Sequence, residues 1–386
     1  MSTDPEPRTA APFLPYGRHT IEPDDVAAVV AALGSSHLTQ GPRVEQFEQA
    51  LAAATGARHA VVLANGTAAL HAAAFAAGLG PGDEVVMPPI SFVASANSVC
   101  YLGATPIFAD VDPDQHNLEP EAARAALSPS TRAILAVDFG GHPADYPALR
   151  ALCDQHRLLL IADACHSLGA TLGGQPVGRH AHLTCLSFHP VKAVTTGEGG
   201  AVLTDDDRLA AACRRFRTHG IERAAERLEE HHGPWYYEMQ DLGFNYRITD
   251  LQCALGHSQL GKLGRFLAER RRLAEAYGPL LAPLSDVRPP RERDGARSAW
   301  HLYPVEVPPG RRRATFERLR ADGIGVQVHY LPIYRHPWYR RRFGLDPSRF
   351  THAEAYYASA ITLPLFPGLT DADQRRVVAS LERALA

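Results

Sequence analysis

The chain contains only two lysines, Lys192 and Lys262, among its 39 lysine and arginine residues. Arginine stays protonated in proteins, whereas a lysine amine can lose its proton and act as a nucleophile. Lys192 lies in LTCLSFHPVKAVTTGEGG, residues 183–200, where a predicted strand ends and a glycine-rich turn follows. Open α/β sheets bind ligands beyond the carboxyl ends of their strands. Burial among apolar neighbours would lower the pKa of the amine and free it for a Schiff base, although Lys192 taken alone could also be a surface lysine.

A carboxylate, Asp163, ends the apolar run LLLIAD at 158–163. A carboxylate at the end of a buried strand is costly unless a cation or several hydrogen-bond donors surround it. One interpretation is that Asp163 binds the protonated pyridine nitrogen of pyridoxal phosphate and keeps the ring an electron sink. The alternative is that it merely hydrogen-bonds the turn that follows.

An anion site is indicated after the first predicted strand, which runs directly into Asn65, Gly66 and Thr67 at the start of an alanine-rich helix. Free N–H groups and the helix dipole favour an anion there, and the threonine hydroxyl adds a donor. An ordinary N-cap explains the same residues equally well. Asp163 and Lys192 are 192 − 163 = 29 residues apart, which leaves room for intervening structure and places both at one edge of a sheet. A phosphate cup, a carboxylate and a lysine together predict a pyridoxal phosphate site.

Short apolar runs predict the elements that position these residues, a single sheet of seven strands. Ala/Leu-rich helical segments separate many of the runs, which is typical of a mostly parallel sheet covered on both faces. We therefore predict an α/β domain up to about residue 260. The predicted strands are 60–64, 84–87, 105–111, 132–137, 158–162, 183–188 and 200–203, and the helices are 67–77, 91–102, 119–127, 145–156 and 206–218.

Three segments are predicted along the chain: an N-terminal tail at 1–12, a large cofactor-binding domain at 13–260 and a smaller C-terminal α/β domain at 261–386. The polar and aromatic stretch 219–247 predicts a long loop, and a helical pattern follows from 248 to about 278. The smaller domain is predicted to contain strands at 300–307 and 325–330 and helices at 311–322, 353–360 and 371–385.

Composition and motif order argue against several classes of function. The formal net charge is 39 − 42 = −3, which is not the footprint of a nucleic-acid-binding protein. No apolar run approaches the roughly 20 residues of a membrane span, so we expect a cytoplasmic protein with no membrane partner. The histidines and cysteines lack metal-ligand spacing, so no metal is predicted. GLGPGD at 78–83 has the wrong element order for a dinucleotide fingerprint, which disfavours a nicotinamide-dependent oxidoreductase, and GHSQLGKL at 256–263 reads as a helix with a solvated Lys262.

The chain resembles the StrS/DegT-type family of sugar aminotransferases, which are fold-type I pyridoxal phosphate enzymes, from about residue 13 to its end. Within that family it looks most like the branch that aminates a UDP-linked 4-keto-6-deoxy-N-acetyl sugar to the 4-amino-L-altrosamine derivative in pseudaminic acid synthesis. Two departures are Ala162, where the family often has Glu, and Asn65, where Ser is common. The resemblance is carried by LPYGR (14–18), LTQGPRVEQFE (38–48), SFVASAN (91–97), SFHPVKAVTTGEGG (187–200), GPWYYEMQDLGFNYRITDLQCALGHSQL (233–260) and VHYLPIY (328–334).

The resemblance implies a role for each residue at a matching position. Lys192 would form the Schiff base, and Asp163 would bind the pyridine nitrogen. The cofactor ring would lie near His166 and would be stacked by Phe92. The phosphate would be bound by Gly66, Thr67 and Ser187, together with Asn245 of the other subunit. The sugar-nucleotide site would be lined by Tyr16, Thr39, His189, His329 and Tyr330, for which ordinary packing is the alternative.

The implied reaction is a two-stage transamination, in which L-glutamate gives its amino group to the cofactor and the UDP-linked keto-sugar then takes it at C4. Lys192 would be both the covalent anchor and the base that moves the proton. A homodimer with shared active sites is implied as well. Two alternatives stay open: another UDP- or dTDP-linked keto-sugar as substrate, and a pyridoxal phosphate-binding protein of this fold without catalysis. Related dehydratases carry His in place of the lysine, so Lys192 favours transamination.

Overall fold

A seven-stranded sheet forms the centre of the larger part of the molecule. The structure is a computed structural model that describes residues 12–386, so residues 1–11 of the predicted tail lie outside it. The strands are β1 (His59–Leu63), β2 (Glu84–Met87), β3 (Thr105–Phe108), β4 (Thr131–Val137), β5 (Leu159–Asp163), β6 (Thr171–Leu172), β7 (Gln175–Pro176), β8 (Leu183–Ser187), β9 (Gly200–Thr204), β10 (Ile221–Glu222), β11 (Glu238–Met239), β12 (Ala296–Arg297), β13 (Tyr303–Glu306) and β14 (Ala360–Leu363).

The large sheet has the strand order β1-β9-β8-β5-β4-β2-β3. The neighbours from β8 to β3 pair in parallel, and β9 pairs antiparallel with both β8 and β1. The predicted sheet of seven mostly parallel strands is therefore confirmed. Because β5 and β8 are parallel neighbours, their carboxyl ends lie side by side. Asp163, at the end of β5, and Lys192, after β8, are therefore brought to one edge of the sheet.

Helices cover both faces of this sheet. Alternate residues of a strand point to opposite faces, so Val61 packs in the core under one face and Val62 in the core under the other. The helices are α1 (Pro23–Leu33), α2 (Pro42–Thr55), α3 (Gly66–Ala76), α4 (Ala94–Cys100), α5 (Pro120–Ala125), α6 (Tyr146–His156), α7 (Asp207–Arg217), α8 (Asp250–Leu260), α9 (Leu263–Leu281), α10 (Arg312–Ala321), α11 (Pro337–Phe343), α12 (Thr351–Ser359) and α13 (Asp371–Leu385). None of these helices in residues 12–386 combines the length and the apolar character needed to cross a membrane.

The C-terminal part has its own core around the antiparallel pair β13 and β14. The predicted strand at 325–330 is wrong, because regular pairing there is limited to one bridge between Gln327 and Thr362. The N–H of Gly325 instead donates to the carbonyl of Leu14. The sequence also missed β14, since the predicted helix at 353–360 ends one residue earlier and gives way to a strand.

The stretch between the two cores differs from expectation in two details. The helical pattern at 248–278 is two helices, α8 and α9, and α9 contributes Leu267 to the core of the large sheet and Leu273 to the C-terminal core. The domain boundary at 260/261 stays a prediction. Lys262, expected to be solvated, has its Nζ 2.6 Å from Oδ1 of Asp25, so that expectation is wrong.

Candidate active site

The carboxyl ends of β5 and β8 and the amino end of α3 meet at a cavity of about 560 Å³. Eleven of the thirteen residues that the sequence predicts to be functional line it. The two that do not are Thr39 and Asn245. The eleven lining residues are Tyr16, Gly66, Thr67, Phe92, Asp163, His166, Ser187, His189, Lys192, His329 and Tyr330.

Lys192 is presented by a tight turn that follows β8. Its backbone N–H donates to the carbonyl of His189 over 2.8 Å. Burial lowers the pKa of the Lys192 amine, while the charges of Cys165 and Asp163 oppose that shift. A lowered pKa raises the fraction of neutral amine, which is the nucleophilic form.

Asp163 is a buried carboxylate at the end of β5. Its Oδ2 accepts the hydroxyl hydrogen bond of Ser95 over 2.6 Å, and its Oδ1 accepts the N–H of Cys165 over 3.3 Å. The bond to Cys165 is the contact with the following turn that the alternative interpretation of Asp163 expects. The bond to Ser95, in contrast, joins residues that are far apart in the sequence. Both donors are neutral, so among the described residues no hydrogen-bonded cation occupies this carboxylate, and it is available to a cation in the cavity.

The cup at the start of α3 has the features of both an N-cap and an anion site, the two interpretations that the sequence offers. Asn65 is an N-cap, since its Oδ1 accepts the N–H of Ala68 over 2.8 Å. The N–H groups of Gly66 and Thr67 come before the first intrahelical bond and have no acceptor within the helix. A Cβ on residue 66 would stand 2.9 Å from Cβ of Ser187, so only glycine allows α3 to approach β8 this closely.

Another wall of the cavity consists of aromatic rings and imidazoles. Oη of Tyr330 lies 3.3 Å from Nε2 of His166, and the ring centroids of His329 and Tyr16 are 5.3 Å apart. Burial lowers the pKa of His166 well below its usual range, and it lowers the pKa of His329 to about 3. This wall is therefore uncharged at neutral pH.

Thr39 and Asn245 are exposed and lie outside the cavity of their own chain. Thr39 pairs with Thr249 in an isolated antiparallel bridge, and Asn245 pairs in the same way with Thr218. Their roles stay predictions.

Among the residues that the sequence reasoning did not single out, four are joined to Asp163 or His166 in this site. Ser95 bonds Asp163 across 68 positions, a relationship that no local pattern encodes, although Ser91 and Ser95 both lie in the quoted motif SFVASAN. Cys165 lies two positions after Asp163, so its place just beyond the end of the strand was the signal available in the sequence. The four are Ser91, Ser95, Cys165 and His301. Within residues 12–386 no three His, Cys, Asp or Glu side chains assemble as a set that could hold a metal ion.

The arrangement fits pyridoxal phosphate. The carboxylate of Asp163 has only neutral partners and can take the protonated ring nitrogen. The glycine cradle at Gly66 suits a phosphate, and the desolvated amine of Lys192 suits an aldehyde. Fold and site together define a class, the fold-type I pyridoxal phosphate-dependent aminotransferases.

The chain belongs to the DegT/DnrJ/EryC1/StrS aminotransferase family, whose sequence pattern matches residues 19–382. It is 36% identical over 374 residues to the spore coat polysaccharide biosynthesis protein SpsC of Bacillus subtilis, covering 96% of each chain. Its structure is similar to that of Helicobacter pylori PseC, an aminotransferase involved in the biosynthesis of pseudoaminic acid, with a TM-score of 0.90 and 31% identity over 97% of this chain and 99% of that one.

A third similar structure is the pyridoxal phosphate (PLP) form of Spr1654 from Streptococcus pneumoniae. The TM-score is 0.89 at 26% identity, over 97% of this chain and 100% of that one. The protein is thus a sugar aminotransferase that uses pyridoxal phosphate. The predicted fold class, enzyme class and cofactor are confirmed.

Proposed function

We propose that this enzyme transfers the amino group of L-glutamate to the C4 ketone of a UDP-linked 4-keto-6-deoxy-N-acetylhexosamine. It would then be the UDP-4-amino-4,6-dideoxy-N-acetyl-β-L-altrosamine transaminase of pseudaminic acid biosynthesis. The observation that carries the proposal is the likeness to PseC over nearly the full length of both chains. Supporting it, the segment VHYLPIY places His329 and Tyr330 in the wall of the cavity that holds Lys192.

Lys192 transfers the proton in both half-reactions of the proposed function. When bound, pyridoxal phosphate supplies an electron sink for the carbon that loses its proton. The Nζ of Lys192, whose pKa burial lowers, would take the proton from Cα of the donor and return a proton to the cofactor, which would then carry the amino group. In the second half-reaction the same amine would take a proton from the cofactor side and deliver one to C4 of the sugar, so Lys192 would end each half in its starting protonation state.

The remaining site residues bind and orient. Asp163 holds the protonated ring nitrogen, and the cup of Gly66, Thr67 and Ser187 binds the phosphate. Phe92 is 58% exposed at the cavity and is free to stack on the cofactor ring, with His166 beside it. The sugar nucleotide contacts Tyr16, His189, His329 and Tyr330, of which His189 is exposed and His329 is buried.

The proposal includes a homodimer in which Asn245 and Thr39 reach the cavity of the partner subunit. Both are exposed. Asn245 pairs with Thr218, just before the loop region 219–247, and Thr39 pairs with Thr249, just after it. That region also exposes Trp235, Met239 and Leu242, the last at 79%. Exposed apolar side chains that cluster in one segment are typical of an interface between chains.

The first experiment separates the donor from the acceptor. The visible spectrum of the purified holoenzyme is recorded before and after L-glutamate is added without any sugar. We expect the absorbance of the lysine-linked cofactor to disappear, with one 2-oxoglutarate formed per site. A band that glutamate leaves unchanged would point to another donor or to a binding protein without catalysis.

The second experiment identifies the acceptor. The glutamate-treated enzyme is mixed with a panel of UDP- and dTDP-linked 4-keto-6-deoxy sugars, with and without the N-acetyl group. We expect the UDP-linked N-acetyl sugar to restore the lysine-linked band fastest and to yield the 4-amino product. Faster reaction with a dTDP-linked sugar would establish the alternative substrate.

A further inference from the structure

Arg270 of α9 is the largest fully buried side chain among the described residues, at 2% exposure. Its hydrogen-bond partners in residues 12–386 are backbone carbonyls, and its Nε has none. A buried guanidinium without a carboxylate is expensive, because the loss of hydration is not offset by an ion pair. Burial accordingly lowers the pKa of Arg270 to about 10.

The carbonyls that Arg270 binds include that of His301, which lines the cavity, and that of Leu365, which is hydrogen-bonded to the lining residue Tyr16. Nη1 donates to Trp300 over 3.2 Å and to His301 over 3.5 Å, and it also donates to Leu365 over 3.0 Å. The N–H of Leu365 in turn donates to the carbonyl of Tyr16 over 3.0 Å. One guanidinium behind the cavity therefore joins the backbone of the His301 wall to that of the Tyr16 wall.

The segment held in this way has an unfavourable backbone conformation. Trp300 has a φ of 49°, in the left-handed region that a bulky side chain rarely adopts. A Cβ on Gly141 would lie 2.8 Å from the N of His301 and 2.9 Å from the O of His166, so the two histidine backbones pack closely around that glycine. External hydrogen bonds are needed to keep such a turn in one conformation.

The side chain presented by this turn faces the reaction site. His301 lines the cavity with Lys192, and its ring centroid lies 4.3 Å from that of His166. Burial lowers the pKa of His301 well below its usual range, and the charges of Lys192 and Arg270 act in the same direction.

We propose that Arg270 is a positioning residue that acts through His301: its buried guanidinium fixes the Trp300–His301 and Leu365 backbones and thereby sets the His301 ring against His166. The proposal uses the donor half-reaction as its readout and so rests on L-glutamate as the proposed donor. Arg270 does not touch the reacting atoms. Burial is the main cause of the lowered pKa of His301, and the charge of Arg270 acts in the same direction, while its hydrogen bonds keep the ring in place.

The test uses Arg270→Lys, Arg270→Gln and His301→Gln, with Arg272→Gln as the control on the same helix. Arg272 is exposed and binds Asp371 over 3.1 Å, away from the cavity. We expect Arg270→Lys, which retains the charge but loses the geometry, to lower kcat of the glutamate half-reaction roughly 10- to 100-fold with the pH profile unchanged. Arg270→Gln also removes the charge that opposes protonation of His301, so the acid limb of its kcat/KM profile moves to higher pH.

A double-mutant cycle shows whether the effect passes through His301. Arg270→Lys should add little to the kinetic loss of His301→Gln, because the two substitutions remove one interaction. Additive losses, or unchanged kinetics in a folded Arg270 variant, would overturn the proposal. If the Arg270 variants do not fold, His301→Gln decides: it should lower kcat of the glutamate half-reaction roughly 10- to 100-fold, and unchanged kinetics in a folded His301→Gln protein would contradict the proposal. Failure of the wild type to react with glutamate would instead contradict the proposed donor.

Discussion

Ser95 donates its hydroxyl hydrogen bond to Oδ2 of Asp163 over 2.6 Å, although the two residues are 68 positions apart. Ser95 lies in the first turn of α4, and Asp163 ends β5. The hydroxyl of Ser91 lies 2.6 Å from that of Ser95 and extends the network by one step. Two neutral hydroxyls thus orient the carboxylate without neutralising it, which is what a partner for a protonated ring nitrogen requires.

Replacing Ser95 should weaken cofactor binding. Ser95→Ala removes one hydrogen bond to a charged acceptor, worth about 1.5 kcal/mol, and so should raise the dissociation constant of pyridoxal phosphate roughly 10-fold in a titration of the apoenzyme. Ser98→Ala is the matched control, because that buried hydroxyl of the same helix donates to the carbonyl of Ser95 and not to Asp163. Equal effects of the two substitutions would mean that helix stability, and not the carboxylate, explains the loss.

Lys192→Ala should abolish turnover and leave cofactor binding in place. The phosphate cup and Asp163 do not depend on the lysine, so pyridoxal phosphate should still bind, but without the absorbance of the lysine-linked form. Loss of the amine that is both covalent anchor and base should slow the glutamate half-reaction by about 10⁴-fold or more, so that no repeated turnover is detected. Lys262→Arg, at the chain's other lysine, should keep both the band and the activity. Repeated turnover by Lys192→Ala would refute the assignment.

A methyl group in the phosphate cup should compete with the cofactor. In Gly66→Ala the new Cβ would stand 2.9 Å from Cβ of Ser187, so α3 or β8 must shift. Such overpacking costs about 1–3 kcal/mol, and we expect pyridoxal phosphate to bind at least roughly 5-fold more weakly. Gly80→Ala, in the turn after α3, is the control because its Cβ would meet no atom within 4 Å. Unchanged affinity in a folded Gly66→Ala protein would place the phosphate elsewhere.

The elements that sequence reasoning located best are the strands of the large sheet. The apolar run at 200–203, for example, corresponds to β9 at Gly200–Thr204, because a strand buried on both faces is apolar at every position. GVQVHY at 325–330 alternates valines with polar residues, as a half-buried strand would, without being a regular strand. Val326 packs in the C-terminal core while His329 and Tyr330 line the cavity, so burial explains the pattern and backbone pairing does not.

The site was predictable where chemistry restricts residue type. A scarce lysine at a strand end and a carboxylate at the end of a buried run are unusual enough to be found locally. Ser95 and His301 could not be found in this way. Their importance depends on which strand end or ring lies across the cavity, and tertiary packing alone decides that.

Acid should destabilise the protein partly through His71. Its ring is buried against Phe216 and Phe244, its Nδ1 lies 3.1 Å from Oη of Tyr246, and burial lowers its pKa to about 4. Between about pH 6.5 and 4 the unfolded chain binds a proton that the folded chain does not, so the free energy of unfolding falls as the pH falls through that window. We expect His71→Phe to show a shallower fall in urea-unfolding experiments than the wild type.

His156→Phe, at the exposed end of α6, is the control for that measurement and should keep the wild-type slope. Parallel pH profiles for the wild type and His71→Phe would show that other buried groups account for the acid sensitivity. His142, whose pKa burial lowers to about 4, would be the next residue to replace.

Subunit mixing should show whether Asn245 serves the partner's site. Asn245 is exposed and lies outside the cavity of its own chain, so in the proposed dimer it binds the phosphate next to the partner's Lys192. We expect Lys192→Ala and Asn245→Ala homodimers each to be strongly impaired. A heterodimer of the two variants contains one site with both native residues and one site with neither, so co-expression of differently tagged chains should restore about half of the wild-type activity per dimer. A heterodimer as inactive as its parents would place Asn245 in the site of its own chain, and a fully active Asn245→Ala homodimer would remove it from the site altogether.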